Sequence, residues 1–459
     1  MPQYNNQQQI FCLNFASNVS ALYSPLFGSQ SYIQERATER LLAVLSDSEV
    51  QKLIGEWEVV WGPAIYQYDG QGLDSNVADS AMFIAKSKDI AGECDRYVIG
   101  IAGTNTYSWH GWFVQDFWVS QTRLWNYGQP WNSDPNDQTT PGMRVAAGTT
   151  TGIRILFEEM QSDQKSVLDY LKDVTSSASK PISIAICGHS LGGALSPTFA
   201  LSLVARRSEW DPEGKTVISV SPSAGATPGN QEFAEYYDLK LGGTTDRIWT
   251  NLDFVPNGWA QDTLEYARTF YVPYIQPNAL INAFIDWCLE MSNKSGVEYK
   301  HIRSQQDGFP GEYNPDVPNA FTGLFVNILS KQLAKLILYS LGIENPPPYL
   351  IDALSDIIKP LIEELIEKSQ SGKSALPDRQ INKIVEPYVE KIIEKLQTEK
   401  LISNIKGSKN HINLLIKGQN ILEFTKYLSQ AFYHHVDACI EYMGTTEFIE
   451  RMKVIIEAS

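Results

Sequence analysis

Cysteine is scarce in this sequence, and the few cysteines form no recognisable pattern. They are widely spaced, odd in number and without a Cys-x-x-Cys pair: Cys12, Cys94, Cys187, Cys288 and Cys439. This spacing argues against a disulfide framework and against a zinc cluster. Because 43% of the residues are hydrophobic, a large core is available, and we expect buried free thiols in a fold that needs neither disulfides nor metals.

Long apolar runs and an excess of positive charge are also lacking. No stretch approaches the roughly 20 apolar residues that a membrane-spanning helix needs, so we expect no transmembrane segment. The first residues contain no basic region followed by an apolar one, as a signal peptide would. We therefore expect a cytoplasmic protein, with export by a signal-independent route still open. The formal net charge of −16 repels phosphate backbones and argues against a nucleic-acid partner.

Strand and helix patterns alternate through the first two thirds of the chain, after a polar stretch at 1–30 that we expect to be irregular. In order they predict a helix at 34–55, strands at 57–66, 81–86 and 97–102, a surface loop at 120–145, a helix at 152–174, a strand at 182–187, a helix at 191–207, and strands at 216–220 and 248–252. This alternation predicts an α/β fold with a mostly parallel central sheet flanked by helices.

The composition changes after residue 310. Residues 320–405 carry long helical patterns rich in Ile, Leu, Lys and Glu, and Pro360 should kink one of them. We therefore divide the chain into an α/β core at 1–310, a large helical insertion at 311–410 and a return to the core at 411–459. The insertion could be a packed cap, a mobile lid, or a module that binds a partner or a membrane surface.

One serine stands in a pattern typical of a nucleophile. Gly188-His189-Ser190-Leu191-Gly192 follows an apolar strand pattern and precedes a helical one. The Gly-x-Ser-x-Gly form in this context exposes the serine at a sharp turn, with a helix N-terminus that favours a developing oxyanion. The alternative is a glycine-rich turn with a passive serine.

Two backbone N–H groups are candidates for an oxyanion site. The residue after the nucleophile, Leu191, would supply one, and a loop after an early strand should supply the other. Thr104 is the best candidate for the second donor, because Gly103-Thr104 ends the strand pattern at 97–102. Taken alone, Gly-Thr at a strand end is usually only a turn.

A serine needs a base, and histidine is the usual one near neutral pH. The histidines are His110, His189, His301, His411, His434 and His435. His189 adjoins the serine and should point away from it, while His110 precedes the serine in a fold whose usual order is serine, acid, histidine. Four histidines therefore remain. Asp253, at the end of a strand pattern and shortly before Pro256, is the candidate acid.

These segments together resemble the class 3 lipases, also called fungal-type lipases. The resemblance covers about residues 57–303 and 425–445, and it is carried by Gly103-Thr104, Trp112, Asp116, Gly188 to Ala194, Pro222 to Phe233 and Asp253 to Pro256. It implies an α/β-hydrolase fold, acyl ester substrates and a Ser-Asp-His triad. By position, Ser190 would be the nucleophile, Asp253 the acid and Thr104 an oxyanion residue.

The resemblance also bears on the choice of histidine. The segment around His434 and His435 resembles the family's catalytic-histidine region and implies His435 as the base, with His434 and His301 as alternatives. The chain departs from the family in having Ala102 where an arginine is typical. A long helical insertion also separates the His301 segment from the His435 segment.

We therefore predict a serine-dependent, lipase-like carboxylic ester hydrolase that cleaves acyl esters of glycerolipids and requires no metal or organic cofactor. A phospholipase A-type enzyme and a general carboxylesterase are alternatives with the same chemistry. A non-catalytic scaffold with a helical partner- or membrane-binding module is an alternative of another class. The expected partner is a lipid or small ester substrate, with transient contact with a lipid surface left open.

Overall fold

Helices and strands account for most of the chain that the computed structural model describes. The described residues are 2–69, 76–89, 93–105, 118–317, 324–343, 346–371, 378–402, 407, 412, 415 and 418–459. The strands are β1 (Trp57–Tyr66), β2 (Ser80–Ser87), β3 (Asp95–Ile101), β4 (Thr122–Leu124), β5 (Arg144–Ala146), β6 (Ile182–His189) and β7 (Thr216–Ser223).

The helices follow a similar order along the chain, with short 3-10 or π turns between some of them. They are α1 (Asn6–Ala16), α2 (Gln30–Ser46), α3 (Ser48–Ile54), α4 (Ala147–Arg154), α5 (Val167–Ser177), α6 (Leu191–Ala205), α7 (Arg207–Trp210), α8 (Gln231–Leu241), α9 (Gln261–Tyr266), α10 (Ala279–Lys294), α11 (Leu324–Ser340), α12 (Pro348–Ser371), α13 (Asp378–Thr398), α14 (Gly418–His435), α15 (Asp437–Met443) and α16 (Thr446–Glu457).

Contacts between residues divide the chain into two compact units. The first comprises Met1–Gln261, Met291–Gly311 and His435–Ser459, and the second comprises Asp262–Glu290 and Glu312–His434. The helical segment predicted at 311–410 falls almost wholly in the second unit. That unit also takes in the earlier stretch Asp262–Glu290 and continues to His434.

The first unit is built on a mixed sheet with the strand order β1-β2-β3-β6-β7. β1 pairs with β2, and β2 with β3, in antiparallel fashion, whereas β3, β6 and β7 are parallel. The strand predicted at 248–252 was wrong as a continuous element. The chain there makes only single parallel bridges, from Ile248 to Ser223 and from Thr250 to Phe309, before it turns at Asp253.

Both faces of the sheet are covered, as a parallel strand pattern requires. Successive residues of β3 and β6 belong to different cores: Val98 and Ala185 lie in one, Ile99 and Ile184 in the other. The first core includes buried residues of α1, α2, α3 and α16, and the second includes those of α5, α6 and α8. This layered α/β-hydrolase arrangement leaves the carboxyl ends of β3 and β6 side by side, with Ile101 opposite Gly188.

The N-terminal stretch contains a helix, so our expectation of an irregular segment was wrong for Asn6–Ala16. Asn5 and Gln8 form a capping box, in which each side chain accepts a hydrogen bond from the backbone N–H of the other, and α1 follows. Most of the helix is buried, from Gln9 to Ala16. A helix predicted at 34–55 is in fact two helices, because Asp47 ends α2 and its carboxylate caps the N-terminus of α3.

The expected surface loop at 120–145 is organised by a buried arginine. Strands β4 and β5 pair across it, and the Arg144 side chain is 2% exposed. Its guanidinium donates to the carbonyl oxygens of Asp137 and Thr140 and to the hydroxyl of Thr122. These bonds give the loop a fixed path, which its polar composition did not predict.

The second unit is helical, as predicted for most of it. Helix α11 packs on α12, where the hydroxyls of Ser330 and Ser355 form a buried hydrogen bond of 2.7 Å. Helix α12 continues through Pro360 rather than ending there. Within the described residues, no helix is both long enough and apolar enough to cross a bilayer.

Candidate active site

Ser190 occupies a sharp turn between β6 and α6. Its backbone has φ 58° and ψ −121°, a conformation that is strained for any residue other than glycine. The chain is crowded on both sides of it. A Cβ at position 188 would lie 2.1 Å from the carbonyl oxygen of Gly192, and one at position 192 would lie 2.3 Å from that of Ile101. Only glycine therefore fits beside this serine.

Three side chains form a hydrogen-bonded line at the end of this turn. Ser190 Oγ lies 2.8 Å from His435 Nε2, and His435 Nδ1 lies 2.8 Å from Asp253 Oδ2. An ionised carboxylate only accepts hydrogen bonds, so Nδ1 carries the proton and Nε2 presents its lone pair to the serine hydroxyl. This is the arrangement in which a histidine can take the proton of a serine.

Asp253 is held by its surroundings in one orientation. Its side chain is completely buried, and Oδ1 accepts a hydrogen bond of 2.9 Å from the backbone N–H of Val255. Burial raises the pKa of the Asp253 carboxyl above its usual value, while the hydrogen bonds from His435 and Val255 act in the opposite direction. The unfavourable burial of the Asp253 carboxylate is thus offset by two hydrogen-bond donors, one to each oxygen.

A second histidine, His189, packs against the ring of His435. The rings of His189 and His435 are 4.8 Å apart between centroids, and His189 Nδ1 lies 3.0 Å from Ser223 Oγ. Ser223 Oγ also accepts from Asn14 Nδ2 and lies 3.5 Å from the carbonyl oxygen of Gly188. Burial, and secondly the neighbouring His435, lowers the pKa of His189 well below its usual value, which keeps this ring neutral. The hydrogen-bonding partner of His189 Nδ1 is therefore Ser223, and the orientation of the ring relative to Ser190 stays a prediction.

One predicted oxyanion residue directly follows Ser190, and the other follows a glycine that is in contact with the serine turn. Leu191 is the first residue of α6, where backbone N–H groups have no partner within the helix. Thr104 follows Gly103, and Gly103 is in close contact with the turn. A Cβ at position 103 would lie 2.8 Å from the carbonyl oxygen of His189 and 3.5 Å from Ser190 Cβ.

The alternative histidines have other surroundings. His301 Nδ1 lies 3.1 Å from Thr227 Oγ1 and 3.5 Å from a guanidinium nitrogen of Arg247. Burial and the charge of Arg247 lower the pKa of His301 well below its usual value. His434 belongs to the second unit, where its ring stacks on Tyr271 at 5.8 Å. Burial lowers the pKa of His434 to about 4.

Some residues of the sequence analysis cannot be assigned a place. His110, His411, Trp112 and Asp116 lie outside the residues that the structure describes. Asn14 and Asn18 are the contributors that sequence reasoning missed, since we expected 1–30 to be irregular. The capping box at Asn5 and the apolar residues that follow it were the signal for a helix there.

The comparisons with known proteins find lipases. Residues 98–262 match the family model described as Lipase (class 3). A crystal structure titled M37 lipase is 26% identical in sequence, with a TM-score of 0.54, over 70% of this chain and 88% of its own. No curated protein matches the chain.

Two more distant fungal structures were also found. The lipase from Rhizopus microsporus var. chinensis is 16% identical, with a TM-score of 0.34, over 56% of this chain and 70% of its own. Lipase II from Rhizopus niveus is 17% identical, with the same TM-score of 0.34, over 56% of this chain and 76% of its own. The match of residues 98–262 to the class 3 lipase model and the likeness to M37 lipase support lipase-like ester hydrolysis on an α/β-hydrolase fold.

Proposed function

We propose that this protein cleaves acyl esters of glycerolipids, with Ser190 as nucleophile, His435 as general base and Asp253 as the acid that orients it. The observation that carries the proposal is the unbroken line of two hydrogen bonds, each 2.8 Å long, from the serine hydroxyl through the imidazole to a buried carboxylate. A buried carboxylate holding Nδ1–H both selects the useful tautomer and stabilises the imidazolium that forms.

In the first half of the reaction, Ser190 Oγ attacks the ester carbonyl carbon while its proton passes to His435 Nε2. The tetrahedral intermediate then collapses, and His435 returns that proton to the oxygen of the departing alcohol. An acyl-enzyme ester on Ser190 remains. In the second half, His435 takes a proton from water, the resulting hydroxide attacks the acyl carbon, and Ser190 regains a proton as the carboxylic acid leaves.

The oxyanion of both intermediates would be held by the backbone N–H groups of Leu191 and Thr104. A donor of this kind contributes about 3–4 kcal/mol to the transition state, because the site is arranged before the charge develops. The N-terminus of α6 adds a favourable dipole at the same point. No step of this sequence needs a metal ion or an organic cofactor.

The test is labelling with a fluorophosphonate, which reacts only with an activated serine. We expect the parent protein to be labelled and labelling to be lost in Ser190→Ala and His435→Ala. His301→Ala is the matched control, because this histidine also belongs to the first unit but is bonded to Thr227, and it should still be labelled. A folded parent that is not labelled would contradict the proposal and favour the non-catalytic scaffold.

The substrate class needs a separate measurement with the parent protein that has not been treated with the fluorophosphonate. Triglyceride emulsions, phospholipid vesicles and soluble short-chain esters would be compared under the same conditions. A preference for emulsions or vesicles supports a glycerolipid substrate and transient contact with a lipid surface, and vesicle hydrolysis alone indicates a phospholipase A type. Turnover restricted to the soluble esters would replace the proposal with a general carboxylesterase.

A further inference from the structure

Only glycine fits at position 103, and its flexible backbone does not by itself fix the orientation of the residue that follows. A Cβ at this position would lie 2.8 Å from the carbonyl oxygen of His189, a backbone atom that cannot move without displacing the serine turn. Glycine, however, has the freest backbone of all residues. The orientation of the next peptide, which carries the N–H of Thr104, therefore has to be set by something other than a side chain at position 103.

The hydrogen bonding of the strand changes at this point. The N–H of Ala102 donates to the carbonyl oxygen of Ala81. The following N–H, that of Gly103, donates instead to Asn18 Oδ1 at 2.9 Å. Asn18 Oδ1 is thus the acceptor for the backbone N–H of Gly103, beyond the end of β3, although Asn18 lies 85 positions earlier in the chain.

Asn18 is itself held firmly. It is buried, with 7% of its surface exposed, and its Nδ2 lies 3.2 Å from Ser17 Oγ and 3.4 Å from the carbonyl oxygen of Asn14. Its backbone carbonyl accepts hydrogen bonds from the N–H groups of Ala21 and Leu22, each 2.9 Å long. The side-chain amide therefore presents Oδ1 to Gly103 from a fixed turn at the end of α1.

We propose that Asn18 is a positioning residue for the oxyanion site. By accepting a hydrogen bond from the N–H of Gly103, it anchors the peptide between Ala102 and Gly103, from which the chain leads to Thr104, and so keeps the N–H of Thr104 aligned beside Ser190. Asn18 touches neither the substrate nor the nucleophile, and it acts through Gly103. This role rests on the proposed function, because an aligned N–H at Thr104 matters only if an oxyanion forms at Ser190.

The experiment replaces Asn18 with serine and with alanine. In Asn18→Ser the hydroxyl can still bond the carbonyl oxygens of the preceding turn but is too short to reach Gly103. Asn18→Ala removes both kinds of bond. Gln9→Ala is the matched control, because Gln9 is also a buried amide of α1 and bonds the carbonyl oxygen of Tyr4, away from the serine turn.

Two readouts separate positioning from stability. Hydrogen exchange of the Gly103 amide should become at least about tenfold faster in Asn18→Ser and Asn18→Ala and stay unchanged in Gln9→Ala. On a soluble ester, kcat should fall about 10- to 100-fold in the Asn18 variants with little change in KM, because the oxyanion exists only after binding. Gln9→Ala should keep the parent kcat.

The outcomes are distinguishable. An active parent whose Asn18→Ser variant keeps both kcat and the slow exchange of Gly103 would overturn the role of Asn18 alone. A fall in kcat with unchanged exchange at Gly103 would overturn it too, since the effect would not pass through the hydrogen bond. A folded parent without esterase activity or fluorophosphonate labelling would overturn the proposed function, and the role of Asn18 with it.

Discussion

His435 Nε2 lies 2.8 Å from Ser190 Oγ, although 245 positions of sequence separate the two residues. The serine stands just before α6 and the histidine is the last residue of α14, so two helix ends bring the base to the nucleophile. Most of the second unit lies between them in the chain. The hydrogen bonds that join Ser190, His435 and Asp253 are therefore formed within the first unit, despite the long helical segment between Asp253 and His435 in the chain.

The tautomer of the His435 imidazole depends on its hydrogen bond to Asp253, and Asp253→Asn tests that dependence. In the amide, one oxygen can still accept from Val255, which leaves Nδ2 to donate to His435 Nδ1. That bond selects the tautomer with its proton on Nε2, which cannot accept the serine proton. We expect kcat to fall about 10⁴-fold with an unchanged fold. Steady-state kinetics and circular dichroism would be measured, and activity within tenfold of the parent would contradict the assignment.

Ser190 is held in a backbone conformation that favours glycine, and this should be visible in stability. We expect the free energy of unfolding of Ser190→Gly to exceed that of Ser190→Ala by about 1 kcal/mol, because strain of this kind costs about 1–3 kcal/mol. Denaturant unfolding would measure the difference. Both variants should be inactive.

The control for that comparison is Ser196, a buried serine inside α6. There the order should reverse, with Ser196→Gly less stable than Ser196→Ala by about 1 kcal/mol, as expected for glycine in a helix. Equal stability of the two Ser190 variants would mean that the backbone at the turn is not strained.

The residues of the proposed site could be predicted from the sequence, because Ser190 and Asp253 lie in local patterns and a family resemblance indicated the histidine. Ser190 lies between a strand pattern and a helix pattern, and Asp253 ends a segment just before Pro256. The resemblance to the class 3 lipases implied His435 in preference to His434 and His301. In the structure the His435 side chain lies within hydrogen-bonding distance of both Ser190 and Asp253.

What the sequence did not predict depends on contacts between distant segments. Asn18 reaches Gly103 only because α1 packs beside β3 and β6 in the folded chain. Arg144 orders the 120–145 loop by bonding carbonyl oxygens, and such bonds leave no trace in the composition of the loop. The strand predicted at 248–252 has the right residues but makes only isolated bridges, because strand pairing depends on the neighbouring segment as well as on propensity.

Gly103→Ala tests the close approach behind the serine turn directly. The added Cβ would lie 2.8 Å from the carbonyl oxygen of His189, so the strand end or the turn has to shift. We expect a loss of about 1–3 kcal/mol in unfolding free energy and a fall in kcat of about 100-fold or more. Chemical denaturation and kinetics on a soluble ester would measure the two effects.

Gly243→Ala provides the control for that substitution, because a Cβ at this position meets nothing within 4 Å. This variant should be as stable as the parent or more stable by up to about 1 kcal/mol, since alanine restricts the unfolded chain. Its kcat should be unchanged. Equal behaviour of the two alanine variants would show that Gly103 is not confined by the turn.

Asp437 should make stability depend on pH. Burial, with a smaller contribution from Glu441, raises the pKa of its carboxyl from 3.8 to about 6 in the folded protein. Between these two values the folded state holds a proton that the unfolded state has lost, so stability falls as pH rises from about 4 to above 6. Asp437→Asn removes this penalty. We expect the variant to gain about 1–2 kcal/mol at pH 8, a figure reduced for partial exposure of the side chain.

At pH 4 the gain should be only a small part of the gain at pH 8, because the carboxyl is then almost fully protonated in the folded state and about half protonated in the unfolded state. Glu441→Gln should give a smaller gain at pH 8, since it removes only the secondary cause of the shift. Urea unfolding at several pH values would measure these differences. A gain in Asp437→Asn that is the same at pH 4 and pH 8 would mean that packing, rather than the charge of Asp437, is responsible.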